Sequence, residues 1–378
     1  MRANHSQISE TIFVTKPSLP PIEEVIPHLE KIWNSRVLTN GGEYHVQLEQ
    51  DLCKYLGVKY ISLFTNGTLA LLIALQALEI KGEVLTTPFS FIATTHALWW
   101  NGIKPIFVDI EASSCNIDVK KLEQSITKET TAILPVHVYG NPCEVHEIDR
   151  IAGKHGLKVL YDACHAFGVK LDKESILNFG DLSVLSFHAT KIFNTFEGGA
   201  IISHSKEMKE KIDFLKNFGF ADEVNIVSPG INAKMNEFQA MIGLLQLKHI
   251  DEAIIHRRKL IKTYKKMLGN IPGIRFLNVM PNVEHNNSYF PIFIDEAILG
   301  KSRDAIWIHL KENNIYSRRY FFPLISSFSP YSLLPSSNSE HLSVANIISN
   351  SVLCLPIYND LEMKFVRKIC EIILNYMR

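Results

Sequence analysis

The sequence predicts a layered α/β fold with a mostly parallel, mixed sheet covered by helices, followed by a smaller C-terminal α/β domain. From Tyr60 to about His204, short apolar runs alternate with stretches of helical periodicity. Nearly every position in these runs is apolar, which is typical of parallel strands buried on both faces. Ligands of such folds bind at the carboxyl ends of the strands. Residues that follow the apolar runs are therefore the candidates for a functional site.

The elements can be assigned in chain order. LALLIALQAL and EVHEIDRIAGKHG have helical periodicity and are predicted to connect strands. From Met235 to Leu268 this periodicity continues without a proline, which predicts one long helix joining two domains. We expect a large domain over residues 1–250 and a small domain over 251–378. The predicted strands of the large domain are KYISLF, EVLTTPF, KPIFVDI, TAILPVHVYG, LKVLYDA, LSVLSFHA and GGAIIS; those of the small domain are IRFLNV, SYFPIFID, IYSRRYF and SVLCLPI, with ILNYM helical.

The composition is that of a globular protein, since 46% of the 378 residues are hydrophobic. Lys plus Arg and Asp plus Glu both number 39, so no net charge favours nucleic acid or an anionic membrane. Six scattered cysteines without a CxxC pair indicate a reducing compartment. MRANHSQISETIFVTKP lacks a signal-peptide pattern, and no uncharged apolar run reaches the ~18 residues of a spanning helix. We expect a cytoplasmic protein, and the His and Cys spacings predict no metal site.

Lys191 is the first candidate for chemistry. In SFHATKIFNTFEGGAIIS an apolar strand is followed by Lys191, near the strand's carboxyl end. Lysine forms an imine with an aldehyde cofactor where its surroundings let it lose a proton. A lysine in a loop is more often a solvated charge, so the neighbouring motifs have to decide between these interpretations.

Asp162 is the second candidate, because four apolar residues precede it in LKVLYDACHAFG and a buried carboxylate needs a partner. An acid there could face the pyridine nitrogen of pyridoxal phosphate and keep it protonated, so that the ring withdraws electrons. The alternative is an N-cap for a helix over ACHAFG. His165 could face the cofactor or the lysine, or it could be a packed core histidine.

KYISLFTNGTLALLIALQAL predicts a strand, a glycine turn and a helix, whose first turn offers free N–H groups for a phosphate. The alternative is a strand-to-helix turn without a ligand, capped by Thr65 or Thr68.

An ordered set of motifs resembles the DegT/DnrJ/EryC1/StrS family of sugar aminotransferases, over about residues 12–375. The resemblance implies a pyridoxal phosphate enzyme of the type I aminotransferase fold, a homodimer with active sites at the subunit interface, and an amino donor that is usually L-glutamate. The motifs are TNGTLAL, TTPFSFIATTHAL, PIFVDI, PVHVYGNP, DACHAFG, GDLSVLSFHATK, FEGGAI and GINAKMNEFQAMIGLLQL.

The resemblance also implies roles for individual residues. Lys191 matches the Schiff-base lysine that also moves protons, and Asp162 matches the partner of the pyridine nitrogen. Phe91 matches the aromatic residue that stacks on the ring, and His165 a further catalytic contact to the cofactor. The remaining cofactor contacts match Gly67, Thr68 and Ser186 at the phosphate and Asn232, which serves the partner subunit.

Within the family, the closer resemblance is to members that aminate C4 of dTDP-4-keto-6-deoxy-D-glucose. The predicted sugar contacts are His188, Arg319 and Tyr320. The chain departs from the family at Leu324-Ile325, after Pro323, where many members carry a histidine. A transaminase acting at C3 of a keto-sugar remains open, as does a non-catalytic regulatory protein of the same fold. A dehydratase of this fold would carry histidine in place of Lys191.

Overall fold

The structure is a computed structural model that describes residues 10–377. Residues 1–9, which begin the stretch without a signal-peptide pattern, and residue 378 lie outside the described range. The helices within the range are α1 (Ile22–Ser35), α2 (Glu43–Leu56), α3 (Gly67–Ala77), α4 (Ala93–Trp100), α5 (Val119–Gln124), α6 (Val145–His155), α7 (Lys206–Leu215), α8 (Glu237–Leu247), α9 (Ile250–Leu268), α10 (Glu296–Leu299), α11 (Arg303–Glu312), α12 (Ser343–Ser351) and α13 (Met363–Met377). The strands are β1 (Ile12–Phe13), β2 (Tyr60–Phe64), β3 (Glu83–Thr86), β4 (Lys104–Phe107), β5 (Thr130–Leu134), β6 (Lys158–Asp162), β7 (Lys170–Leu171), β8 (Glu174–Ser175), β9 (Leu182–Ser186), β10 (Gly199–Ser203), β11 (Ile274–Phe276), β12 (Val283–Glu284), β13 (Pro291–Ile294), β14 (Ile315–Tyr316) and β15 (Val352–Cys354).

The main sheet has seven strands in the order β2-β10-β9-β6-β5-β3-β4. Only β10 runs antiparallel to its neighbours, β2 and β9, and the other pairs are parallel. Neighbouring residues such as Leu160 and Tyr161 point into two different hydrophobic cores, one packed by α2, α6 and α8 and the other by α3, α4 and α7. The predicted strands from Tyr60 to Ser203 are therefore confirmed, and they are apolar because both faces are buried.

The C-terminal part forms its own core around the antiparallel sheet β11-β13-β15. Inner residues of α9, α11 and α13 fill this core. IYSRRYF contributes only Ile315 and Tyr316 as a strand, which pairs in parallel with β1 through Ile12 and Phe13. Ile12 lies in the C-terminal core, so the first described strand packs with the C-terminal part of the chain.

The prediction of one helix from Met235 to Leu268 is wrong, because α8 ends at Leu247 and α9 begins at Ile250. Between them, Lys248 N–H donates to the Leu245 carbonyl and His249 N–H to the Gln246 carbonyl, so the chain tightens into a 3₁₀-type turn. The change in direction lets α8 lie buried against the large sheet while α9 packs in the C-terminal core. No proline or glycine marks the break, so periodicity alone missed it.

Membrane-spanning helices and metal-binding clusters are both absent from the described residues. No helix within residues 10–377 combines the length and the apolar composition that a bilayer span requires. Over the same range, His, Cys, Asp and Glu side chains form no group of three or more that could hold a metal ion.

Candidate active site

Lys191 lies in the loop between β9 and β10, at the carboxyl end of the large sheet. Hydrogen bonds close this loop, from Phe187 N–H to the Gly198 carbonyl at 2.8 Å and from Lys191 N–H to the His188 carbonyl at 2.8 Å. The Lys191 ammonium donates to the hydroxyl of Tyr289 at 3.3 Å. The lysine is therefore held within the fold at a strand end, unlike a solvated surface lysine.

Opposing influences act on the pKa of Lys191. Loss of water around the ammonium works to lower the pKa, whereas electrostatic interactions with Tyr289, Cys164 and Asp162 and the hydrogen bond to Tyr289 raise it. The raising influences prevail, so the pKa of Lys191 lies above its ordinary value of 10.5. The amine is a protonated cation at neutral pH in the protein alone.

Asp162 ends β6 and is only 5% exposed. One carboxylate oxygen accepts the Thr94 hydroxyl at 2.7 Å and the other accepts the Cys164 N–H at 3.1 Å. Within residues 10–377 no cationic side chain forms an ion pair with it. A turn follows Asp162 instead of a helix, so the alternative interpretation as a helix cap is wrong. A buried carboxylate without a cationic partner is costly, and a positively charged ligand group would compensate it.

His165 is buried beside Lys191, with its ring stacked on Phe321 at 5.9 Å between centroids and tilted against Tyr289 at 4.8 Å. Burial, with the charge of Lys191, holds the pKa of His165 well below its ordinary value of 6.5. Nδ1 accepts the Tyr139 N–H at 3.2 Å. The neutral ring therefore carries its proton on Nε2 and can act there as a donor.

The N-terminus of α3 offers free N–H donors at the same edge of the sheet. Asn66 is the N-cap, and its side chain accepts the Leu69 N–H at 2.9 Å. The cap is thus neither Thr65 nor Thr68. No partner within the described residues accepts the N–H groups of Gly67 and Thr68, which are among the first four of the helix. They point where a phosphate would bind favourably.

Two glycines allow the strands to approach this helix end. A Cβ on Gly199 would lie 2.7 Å from Gly67 N and from the Asn66 carbonyl carbon, closer than real side chains come. A Cβ on Gly67 would lie 3.0 Å from the Cβ of Ser186. Ser186 therefore sits directly beside the free N–H groups and can add its hydroxyl to the same anion.

Comparison with known proteins gives the chemistry of this arrangement. A model of the DegT/DnrJ/EryC1/StrS aminotransferase family matches residues 21–374. The chain belongs to this family. The predicted aminotransferase activity and pyridoxal phosphate cofactor are thereby confirmed for the chain.

Relatives support the family assignment over nearly the whole length. The chain is 51% identical to the dTDP-4-amino-4,6-dideoxy-D-glucose transaminase of Escherichia coli, over 97% of this chain and 99% of that protein. The enzyme of the same name from Shigella dysenteriae is also 51% identical, with the same coverage. Among solved structures, DesI in the presence of its TDP-sugar product is similar, with a TM-score of 0.93, 30% identity and coverage of 98% and 94%. The predicted type I aminotransferase fold is confirmed.

The residues present fit the cofactor of the family. Pyridoxal phosphate carries an aldehyde, a ring nitrogen that can be cationic, and a phosphate. Lys191 is an amine at the carboxyl end of β9, Asp162 is a buried anion that lacks an ion pair, and the start of α3 has unused N–H donors. These three features follow β9, β6 and β2, at the same edge of the main sheet.

Other predicted residues differ in what the structure places around them. Phe91 lies one turn before Thr94 and is 61% exposed, an unusual state for phenylalanine that leaves its ring free to cover a ligand. Asn232 is exposed on the loop that precedes α8. The Nδ1 atom of His188 lies 2.8 Å from the hydroxyl of Thr190.

The predicted sugar contacts Arg319 and Tyr320 lie in two different environments. The Arg319 guanidinium donates to Asp304 at 3.0 Å and lies over the rings of Trp307 and Phe322, so it is already engaged within the C-terminal part. The Tyr320 ring instead lies 6.0 Å from the ring of Tyr289, which reaches Lys191. Of the two, Tyr320 is better placed to meet a substrate.

Sequence reasoning missed Thr94, which holds Asp162, and Tyr289, which contacts Lys191. Thr94 lies inside TTPFSFIATTHAL, but nothing in its spacing distinguishes it from Thr95. Tyr289 lies in SYFPIFID, whose apolar pattern predicts a strand, whereas β13 begins only at Pro291. Both contacts join residues that are distant in the chain.

Proposed function

We propose that the chain transfers the amino group of L-glutamate to C4 of dTDP-4-keto-6-deoxy-D-glucose. The products are dTDP-4-amino-4,6-dideoxy-D-glucose and 2-oxoglutarate. The observation that carries the proposal is the 51% identity, over 97% of the chain, to a transaminase named for this amino sugar. The acid, the lysine and the free helix end described above supply the residues that the reaction needs.

When bound, pyridoxal phosphate supplies an aldehyde carbon for the amino group and a ring that withdraws electrons. We assign the covalent attachment to Lys191, whose Nζ lies 3.3 Å from the Tyr289 hydroxyl, beyond the carboxyl end of β9. With the cofactor bound, the free lysine amine would take up the proton of the substrate's α-carbon and hold it for return to the cofactor. On the keto-sugar, the same amine would deliver a proton to the carbon that receives the amino group.

Asp162 keeps the ring nitrogen protonated, because a buried carboxylate without another cationic partner stabilises a positive charge next to it. Thr94 donates to that carboxylate and fixes its orientation. The Nδ1 atom of the neutral His165 accepts the Tyr139 N–H, which leaves Nε2 as the donor that would contact the cofactor. Phe91 covers the ring, and Gly67, Thr68 and Ser186 bind the phosphate.

We propose a homodimer in which Asn232 reaches the partner's active site. The segment before Asn232 leaves several large apolar side chains exposed, as expected of a surface that another chain covers: Phe218, Phe220, Val224, Ile226 and Val227. Multi-angle light scattering should give twice the mass of one chain, and Ile226→Glu should shift the mass toward that of a single chain.

We also propose that His188 and Tyr320 contact the sugar and that the enzyme is located in the cytoplasm.

The proposal is tested by incubating the pyridoxal phosphate-loaded enzyme with L-glutamate and dTDP-4-keto-6-deoxy-D-glucose. NMR of the product should show an amino group at C4, with one equivalent of 2-oxoglutarate formed. Lys191→Ala serves as the control and should form neither product. An amino group at C3 would contradict the proposed regiochemistry. Consumption of glutamate without an amino sugar would contradict the proposed acceptor, and 3-keto isomers and UDP-sugars would be the next acceptors to try.

A further inference from the structure

Tyr289 enters the active site from the C-terminal part of the chain, in the segment between β12 and β13. Its hydroxyl lies 3.3 Å from Lys191 Nζ, the atom that reacts in the proposed function. Its ring lies 4.8 Å from the ring of His165 and 6.0 Å from that of Tyr320. Among the described residues, the hydroxyl is the one side-chain hydrogen-bond partner of Lys191 Nζ.

Asn286 fixes one end of this segment to the large domain. Its side-chain amide donates to the carbonyls of His165 at 2.8 Å and Phe167 at 3.0 Å, and its oxygen accepts the Ser288 N–H at 3.1 Å. The residue is 1% exposed, so water does not compete for these bonds. Gly140 makes room for it, since a Cβ there would lie 2.9 Å from the Asn286 oxygen.

Arg257 fixes the other end from helix α9. Its guanidinium donates to the Ser288 carbonyl at 3.2 Å and to the Asn359 side chain at 2.9 Å. The side chain is 2% exposed, and within residues 10–377 no carboxylate forms an ion pair with it. A buried cation without an acid is costly, and burial lowers the pKa of Arg257 to about 10. Arg257 therefore holds Ser288, the residue that precedes Tyr289, despite the cost of burying its charge.

We propose that Tyr289 belongs to the catalytic machinery: its hydroxyl binds Lys191 Nζ whenever the lysine is not joined to the cofactor and orients the amine for proton transfer. Asn286 and Arg257 are positioning residues, because they act only by placing the Tyr289 segment. The inference rests on the assignment of Lys191 in the proposed function. It requires the hydroxyl specifically, since a phenylalanine would keep the ring contacts with His165 and Tyr320.

The charged and titratable groups around Lys191 and Tyr289 determine how the pKa of Lys191 should change. Asp162, Cys164 and His165 face Lys191 from the large domain, and Arg257 and Tyr320 approach Tyr289 from the C-terminal part. Only Tyr289 donates or accepts a hydrogen bond at Lys191 Nζ within the described residues. Removing its hydroxyl takes away an influence that raises the pKa of Lys191. More neutral amine should then exist at any given pH.

The test compares Tyr289→Phe with Tyr331→Phe, a buried tyrosine whose hydroxyl contacts His96 outside the site. The rate at which cofactor-free protein captures pyridoxal phosphate is followed by absorbance against pH. For Tyr289→Phe we expect the midpoint to fall, because the hydroxyl that raises the pKa of Lys191 is gone and more of the amine is neutral at a given pH. We also expect kcat to fall about tenfold or more, with KM for both substrates changing less than about threefold.

Each outcome separates this inference from the proposed function. If Tyr289→Phe matches the wild type and Tyr331→Phe in midpoint and kcat, the Tyr289 inference is overturned while the lysine assignment stands. If Lys191→Ala develops the imine absorbance as the wild type does, the proposed function fails first. Loss of the imine absorbance in Lys191→Ala, together with a lowered midpoint in Tyr289→Phe, supports both.

Discussion

Thr94 and Thr95 are neighbours on one helix, yet only Thr94 has a partner. The Thr94 hydroxyl donates to the buried Asp162 carboxylate at 2.7 Å, whereas the Thr95 hydroxyl is buried without a partner among the described residues. A hydrogen bond to a charged group contributes about 1.5–3 kcal/mol, and an unpaired buried hydroxyl contributes nothing or destabilises. At the scale of single residues, the two threonines therefore make a matched pair.

We expect Thr94→Val to lower the free energy of unfolding by about 1.5–3 kcal/mol and to reduce turnover, because Asp162 loses its hydroxyl donor. Thr95→Val should leave turnover unchanged and leave stability equal or slightly higher. Urea denaturation and steady-state kinetics of the two variants measure both effects. Equal losses in the two variants would show that the bond to Asp162 has no special role.

The sequence predicts some residues of the site but not the contacts between residues that are far apart in the chain. Lys191 and Asp162 could be picked out because each follows an apolar strand, and strand ends meet at one edge of a parallel sheet. Thr94 meets Asp162 across 68 positions of the chain and Tyr289 meets Lys191 across 98. Such contacts depend on how loops pack, which no local pattern encodes.

The elements that position the phosphate site meet at Gly199, on β10. A Cβ there would lie 2.7 Å from backbone atoms of Asn66 and Gly67, at the start of α3. Gly153 in α6 is a matched control, since nothing lies within 4 Å of a Cβ built there. Substitution of glycine by alanine therefore introduces a close contact at Gly199, where β10 meets α3, and none at Gly153 within α6.

We expect Gly199→Ala to weaken pyridoxal phosphate binding about tenfold or more, equivalent to ~1.4 kcal/mol, because the helix end must move from its place beside Ser186. Gly153→Ala should keep the cofactor affinity and stabilise α6 by about 0.5–1 kcal/mol. Cofactor titration by absorbance and thermal denaturation measure the two effects. Unchanged affinity in Gly199→Ala would contradict a phosphate site at α3.

At the element scale, the sequence predicts the strands of the main sheet better than helices α8 and α9. Strands such as Leu182–Ser186 are buried on both faces, so their apolar runs are unmistakable. The turn between α8 and α9 keeps helical dihedral angles at Lys248. The hydrophobic periodicity therefore continues across the turn and does not indicate where α8 ends. β1 pairs in parallel with β14, which lies far from it in the chain. Strands of two residues are too short to show a sequence pattern.

The whole molecule should lose stability in mild acid because it buries neutral histidines. Burial lowers the pKa of His137 to about 3, and the pKa of His165 lies well below its ordinary value. Both folded values lie below the unfolded value of about 6.5, so only the unfolded chain takes up these protons as the pH falls below that value. The stabilisation is present above pH ~6.5 and decreases as the pH falls toward the folded pKa values.

Between pH 7 and pH 5.5, we expect the cofactor-free protein to lose about 2 kcal/mol of stability from these two histidines. Denaturant midpoints measured across this range test the expectation. His137→Asn should lose about 1 kcal/mol less than the wild type over this range, since one buried neutral histidine is gone. A stability that stays constant from pH 7 to pH 5.5 would mean that neither histidine is held neutral by the fold.

The covalent role of Lys191 is the claim on which the other assignments depend, and it can be measured directly. The pyridoxal phosphate-loaded enzyme is treated with borohydride, which makes the lysine–cofactor bond permanent, and is then digested and sequenced by mass spectrometry. We expect the added mass on Lys191 alone, and none on that peptide when L-glutamate is added before the borohydride. The added mass on another lysine, or on none, would contradict the assignment of the active site.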